Sequence, residues 1–389
     1  MRSNVFSLID TLLHIIPINN HQVMFSAFSD QYSDNPKWIS IKMHEMFPDV
    51  KLVWVFSDRT NLEDVPEYII PVRQYSLRHA IEKNRARVII DNYTGIYSKF
   101  TDDSNSWKYK LLKKKHQINL STWHGTPLKK IGRAIMNRGN AVFVTTTDGF
   151  IFNSEYIKNI FFRDFSDKVP AYLLGSARND LLFETNEDKL VHTKEKLGLK
   201  KDKKYVLYAP TFRNTNRLDG DSYSLSLDTD LVFHILEALS NRFGGEWGLI
   251  SRVHQKIKDK KTDLVDGTMI IDGNEHDDMA EYLATCDALI TDYSGSLFDI
   301  ANTDKPCFLY APDYIHYRDK ERGLYLDVNE LPYTFAISEK ELMENILTYD
   351  SSTTANKVAL FNKKLGNIDD GKASERISVM INKIINDNM

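Results

Sequence analysis

Residues 117–127 read QINLSTWHGTP, an apolar run that passes through Ser121 and Thr122 into tryptophan, histidine, glycine and proline in succession. An extended run closed by glycine and proline reads as a strand that ends in a loop. The same pattern recurs on both sides of it. In the first half, strands are predicted near residues 22–27, 51–56, 87–91 and 148–153; in the second, near 170–175, 204–209, 246–252, 268–272, 287–291 and 306–311. Helical periodicity lies between them, as in residues 231–242 (LVFHILEALSNR) and 279–285. Near-continuous apolar strands separated by helices indicate parallel sheets covered on both faces. The predicted fold class is therefore α/β, with two Rossmann-like doubly wound parallel-sheet domains facing a central cleft.

The length of 389 residues agrees with two domains, since single cores stop growing well before that size. The pattern breaks at residues 163–170 (RDFSDKVP), so the expected domains are 1–166 and 167–389. The C-terminal helical stretches, 338–349 and about 371–386, read as amphipathic cover, with the option that one crosses back to brace the first domain.

Composition closes several routes. With 42% hydrophobic and 27% charged residues the chain is globular, and a net charge of −4 argues against bulk nucleic-acid binding. No run approaches the roughly 18 apolar residues of a membrane span. The N-terminal stretch has no small-residue cleavage site and is read as part of the mature chain. Two cysteines, Cys286 and Cys307, sit in apolar runs as free thiols, and no metal-ligand spacing occurs, so neither a metal nor a cofactor is expected. The run KYKLLKKKH, residues 108–116, concentrates five lysines. It reads either as a solvated helix face or as a patch toward an anionic membrane surface.

In parallel sheets, ligands bind beyond the carboxyl ends of the strands. Five predicted strand ends carry unusual chemistry: WHGTP (Trp123, His124, Gly125, Thr126, Pro127), SARND, PTFR, RVH and DYSGSLFD. Arg178, Arg213 and Arg252 are planar cations suited to phosphate oxygens. Ser294, Gly295 and Ser296 precede a helix whose amides would face an anion, and Pro127 reads as the first residue of a second such helix, LKKIG. Asp299 is placed to accept from a sugar or polyol hydroxyl. Each has a structural alternative: the arginines as partners of carboxylates, the serines as N-caps, Asp292 and Asp299 as helix-start charges. Of the eleven histidines, His124 and His254 stand at strand ends. One neutral and one protonated imidazole suit attack by an alcohol on an activated diphosphate, in phosphoryl or glycosyl transfer from a nucleotide-linked donor.

These residues also carry a resemblance. WHGTPLKKIG (123–132), RND (178–180), YAPTFR (208–213), RVH (252–254), ITDYSGSLFD (290–299) followed by KPCFLY, RGLYLD (322–327) and Asn35-Pro36-Lys37 resemble the CDP-glycerol glycerophosphotransferases of wall teichoic acid and capsule synthesis, over roughly residues 32 to 375. The resemblance implies a glycosyltransferase-B fold with an acceptor-side N-terminal domain. It implies metal-independent transfer of glycerol phosphate from CDP-glycerol to a polyprenyl-linked glycan acceptor, and peripheral attachment at the cytoplasmic face of the cell membrane. By position His124 becomes the base; His254, with Arg252, stabilises the diphosphate and the departing CMP. Arg178, Pro210, Thr211, Ser294, Gly295 and Asp299 line the donor site. Many members have adjacent serines where this chain has Ser294-Gly295-Ser296. CDP-ribitol as donor, a nucleotide-sugar glycosyltransferase, a non-enzymatic membrane scaffold and a homo-oligomer stay open at this point.

Overall fold

A computed structural model describes residues 3–93, 114–135, 147–165, 168–211, 229–252, 270–321 and 323–387. The chain divides into two compact units: residues 1–124, 132–180 and 365–389 form one, and residues 125–131 and 181–364 the other.

The first unit holds a seven-stranded sheet: β1 (Asn19–Phe25), β2 (Lys51–Phe56), β3 (Ile69–Arg73), β4 (Ala86–Asp91), β5 (Ile118–Ser121), β6 (Gly149–Phe152) and β7 (Ala171–Leu173). Their order is β3-β2-β1-β4-β5-β6-β7, and every pair is parallel. Strand order reverses between β1 and β4, which makes that gap the topological switch point. Helices α1 (Ser3–Leu12), α2 (Asp34–Met46) and α3 (Leu77–Arg85) belong to this unit. Val23, Phe25, Trp54, Phe56, Val88 and Ile90 form its core with Ile39 and Met43 of α2.

The second unit holds six parallel strands, β8 (Lys204–Ala209), β9 (Trp247–Ser251), β10 (Ile270–Asp272), β11 (Ala288–Thr291), β12 (Cys307–Tyr310) and β13 (Thr334–Ala336), ordered β10-β9-β8-β11-β12-β13. Its switch point lies between β8 and β11. The helix Thr229–Phe243 covers one core with Ile235, Leu236 and Leu239, packed on Val206, Leu249 and Ile290.

One expectation changes and another is met. The stretch 170–175 was assigned beyond the domain boundary, but β7 pairs with β6 (Phe150 with Ala171, Phe152 with Leu173), so the first unit runs on through Asp180. The option of a crossing helix is realised by Ala373–Asn386, whose Ile377, Ile381 and Ile385 are buried in the first unit's core. Burial of each such side chain contributes about 1.5–3 kcal/mol. Asp180 receives the amides of Ala373 (2.9 Å) and Ser374 (2.7 Å), and Asp369 receives Asn179 Nδ2 (2.8 Å) and the amide of Ser176 (2.7 Å). The acidic residue and asparagine of RND therefore fasten the returning helix.

Candidate active site

The chain leaves the first unit after His124 and enters the second at Gly125, so the WHGTP motif is also a crossing. The turn is tight. Trp123 has φ +53° and Gly125 φ +126°. A bulky residue in the left-handed region costs about 1–2 kcal/mol and persists only where the surroundings over-determine it. Here they do: Trp123 is buried, its ring meets Phe161 edge-on at 4.8 Å and Phe165 at 5.6 Å, and its carbonyl accepts from Asn35 Nδ2 at 3.3 Å.

His124, by contrast, is exposed. Its Nδ1 lies 2.8 Å from the carbonyl oxygen of Asn92. A carbonyl only accepts, so Nδ1 carries the proton and Nε2 is the basic nitrogen of the neutral ring. Trp123, at a ring separation of 4.2 Å, and the rings of Phe28 and Tyr93, each at 5.9 Å, fix its plane. Phe28 follows β1, while Asn92 and Tyr93 follow β4. The histidine from the end of β5 is thus held by the two loops of the switch point.

Around it runs a bonded ring. Asn92 Oδ1 accepts the amide of Phe28 at 2.7 Å, and Asn92 Nδ2 donates to Asp34 Oδ2 at 2.6 Å. Asp34 Oδ1 accepts Arg178 Nη1 at 3.0 Å, and the same Nη1 donates to the carbonyl of His124 at 3.1 Å. Asn35 Oδ1 accepts the amide of Arg178 at 3.1 Å. Arg178, expected as an anion clamp, spends its Nη1 on supporting His124.

The second unit builds its own switch point. The carboxylate of Asp292, directly after β11, accepts the amide of Thr211 through both oxygens at 2.9 Å, closing the end of β8 against that of β11. Lys129 donates to Thr211 Oγ1 at 3.3 Å. A Cβ on Gly295 would stand 2.9 Å from the carbonyl oxygen of Thr126, inside contact distance. The glycine that separates Ser294 from Ser296 therefore has a local cause, the close approach of the WHGTP backbone. Pro210 and Thr211 are partly buried. Ser296 and Asp299 are buried; the Ser296 hydroxyl lies 3.4 Å from that of Thr291, and its amide donates to Ser294 Oγ at 3.4 Å.

Three expectations need correction or lie out of reach. No helix starts at Pro127. Leu128 and Lys130 instead bond with residues 323–325: the amide of Lys130 donates to Gly323 O (3.1 Å) and that of Tyr325 to Leu128 O (2.8 Å), with a bridge from Lys129 to Leu324. Those residues draw the segment out: the Lys130 amide goes to the Gly323 carbonyl and the Ile131 amide to the Tyr325 hydroxyl at 3.0 Å. Arg252, expected at the diphosphate, is held by main-chain carbonyls of its own unit. Its guanidinium donates to the carbonyls of Gly273, His276 (2.6 Å) and Asp277 (2.6 Å), over the ring of Tyr282 at 5.2 Å. Burial lowers its pKa and raises that of Tyr282 to about 12. The arginine folds the loop after β10 onto the end of β9. His254 and Arg213 lie outside the described residues. So does most of the lysine run; at its edge, Lys114 donates to the carbonyls of Ile16 and Asn84.

Sequence reading missed Phe28, Asp34, Asn92 and Tyr93. Only Asn35-Pro36-Lys37 pointed near them. Among the described residues no group of three or more histidine, cysteine or acidic side chains stands together as a metal site, and no helix is long and apolar enough to cross a membrane.

The comparisons converge. Residues 8–383 match the family described as CDP-Glycerol:Poly(glycerophosphate) glycerophosphotransferase. The chain is 30% identical over 399 residues to the teichoic acid glycerol-phosphate transferase of Staphylococcus aureus (96% of this chain, 95% of the relative). It is 28% identical over 379 residues to the teichoic acid poly(glycerol phosphate) polymerase of Bacillus subtilis (93% of this chain), of which it spans about half, 48%. A variant of the wall teichoic acid polymerase TagF superposes with a TM-score of 0.80 at 24% identity (99% of this chain, 95% of that one), which establishes the glycosyltransferase-B type of fold. With its family model spanning nearly the whole sequence, the chain belongs to the CDP-glycerol:poly(glycerophosphate) glycerophosphotransferases.

Proposed function

We propose that the protein transfers glycerol phosphate from CDP-glycerol to a hydroxyl of a polyprenyl-diphosphate-linked acceptor, releasing CMP, in teichoic acid or capsule synthesis. The observation that carries this reading is the bond from His124 Nδ1 to the Asn92 carbonyl, because it makes Nε2 the proton acceptor of an exposed ring. In the proposed step Nε2 takes the acceptor's hydroxyl proton. The oxygen forms a bond to the phosphorus that bears glycerol, and the bond from that phosphorus to the CMP oxygen breaks, CMP leaving with the electron pair. The imidazolium so formed keeps its Nδ1 proton on the Asn92 carbonyl, which offsets the new charge. We assign His254 to the diphosphate and to the departing CMP, on the resemblance of its motif, and Arg213 to phosphate oxygens of the donor, as a planar cation at a strand end. Thr211, Pro210, Ser294, Gly295, Ser296 and Asp299 are assigned to the donor through the loops at the second switch point.

We assign the protein to the cytoplasmic face of the membrane, attached peripherally. Supporting this is an outward row on α1 and the turn after it: Val5, Leu8, Leu12 and Ile15 are 49%, 64%, 65% and 88% exposed. Phe6 and Asp10 point the other way, Phe6 against Tyr75 and His79, Asp10 against Lys83. Asp10 is the single carboxylate in residues 3–16. Exposed Lys115 adjoins Lys114, which touches Ile16. Apolar side chains beside lysine suit an anionic lipid surface.

Donor profiling tests the function. CDP-glycerol, CDP-ribitol and UDP-sugars are offered with a defined lipid-linked acceptor, and CMP release and product length are measured. Turnover of CDP-glycerol well above the others is expected; preference for CDP-ribitol or a UDP-sugar overturns it.

A further inference from the structure

We infer that Asp34 is a positioning residue for the reaction, and that it selects the tautomer of His124 through the side chain and backbone of Asn92. This inference rests on the transferase reading above.

Asp34 reaches His124 by two arms. Its Oδ2 accepts Asn92 Nδ2 at 2.6 Å, and the carbonyl of Asn92 accepts His124 Nδ1 at 2.8 Å. Its Oδ1 accepts Arg178 Nη1 at 3.0 Å, and Nη1 also donates to the carbonyl of His124 at 3.1 Å. One carboxylate thus anchors the imidazole through one arm and the backbone of the same residue through the other. Asp34 has φ +61°, at the start of α2. Its Oδ1 also accepts the amide of Asn35 at 2.8 Å, and Asn35 Nδ2 donates to the carbonyl of Trp123. The strained turn at Trp123 and the ring at His124 therefore refer to the same loop.

The charge and polarity of Asp34 matter in a specific way. Asn92 already uses Oδ1 on the amide of Phe28, so Nδ2 is left to face an acceptor. An acid at position 34 supplies one. An amide there keeps the left-handed backbone, which asparagine tolerates as aspartate does, and keeps an oxygen toward Arg178, but turns an NH2 toward the NH2 of Asn92. Two donors 2.6 Å apart repel, Asn92 turns, and its carbonyl leaves Nδ1. The ring then populates the Nε2-protonated tautomer, which cannot accept the hydroxyl proton.

The test compares the wild type, Asp34→Asn and the double variant Asp34→Asn with Asn92→Asp. In the double variant the donor and acceptor exchange places, so the contact between the two side chains is remade while Asn92's bond to Phe28 keeps an oxygen. Two readouts are taken: ¹⁵N shifts of the His124 ring nitrogens, and kcat and KM for CDP-glycerol. For Asp34→Asn, loss of the Nδ1-protonated signal is expected together with a fall in kcat on the order of 10- to 100-fold, KM staying within about twofold. The double variant is expected to regain the Nδ1 proton and most of kcat. A purely structural Asp34 would lower the melting temperature and leave the tautomer of the folded protein unchanged, which overturns the inference. So does a double variant, folded but with the proton on Nε2, and this arm decides if Asp34→Asn alone does not fold. A wild type that turns over no CDP-glycerol refutes the transferase reading instead, while the ring shifts still decide the role of Asp34.

Discussion

Two residues occupy the same place in the two units. Asn92 follows β4 and Asp292 follows β11, each the second strand of a topological switch, and each accepts a backbone amide from the loop after the first: Phe28 at 2.7 Å, Thr211 at 2.9 Å. The scaffold solves one problem twice, closing the gap that opens where strand order reverses. The difference lies in the chemistry of the side chain, a carboxylate offering acceptors alone and an amide an NH2 as well. Asp292 brings both oxygens to a single amide, whereas Asn92 has an NH2 left over, and this reaches Asp34. Through that leftover donor, and a main-chain carbonyl on the same residue, the first unit's closure becomes the mount for a histidine. In the second unit the neighbouring backbone, Gly295 against Thr126, comes close enough to exclude a side chain.

That contrast can be broken from either side. The largest effect is expected in the first unit: His124→Ala lowers CMP release from CDP-glycerol by about 10³-fold, in the range of a lost general base, while the thermal midpoint moves little because the ring is exposed. Asp292→Ala removes the acceptor of the Thr211 amide and is expected to cost about 1–3 kcal/mol of stability, read as a shift in the urea midpoint. Gly295→Ala sets a methyl 2.9 Å from the Thr126 carbonyl. A destabilisation of about 1–2 kcal/mol is expected in the same titration, along with a raised KM for the donor. The smallest effect on stability belongs to the outward row of α1. Leu8→Ser with Leu12→Ser is expected to change unfolding by less than about 0.5 kcal/mol each, yet to weaken co-sedimentation with vesicles rich in anionic lipid.

Much of this was legible in the sequence, and the gaps have physical causes. Apolar runs such as KYVLYA and CFLY announce buried parallel strands, and among the described residues ten of the thirteen strands lie where alternation of runs and helices placed them in the unit expected. β7 was recognised but given to the wrong unit, because a polar break at 163–170 looks like a linker whether or not the next strand returns to the same sheet. β3 and β13 were not recognised. Both are edge strands, one carrying Pro71 and the other only three residues long, and edges tolerate what central strands reject. His124 stood out through its composition. Its supports did not, because Phe28, Asp34 and Asn92 meet only once the order β2-β1-β4 is known, and strand order is not written in any local pattern. Arg252 shows the reverse failure: an arginine at a strand end has the same sequence signature whether it faces a phosphate or three carbonyls. Pro127 likewise signals a helix start as readily as the extended crossing it makes.

The proton on His124 tests the central claim most directly. In the wild-type protein, ¹⁵N-resolved shifts of the His124 imidazole at a pH where the ring is neutral are expected to show Nδ1 protonated and Nε2 bare, as the 2.8 Å approach of Nδ1 to the Asn92 carbonyl requires. A neutral ring with its proton on Nε2 would contradict it.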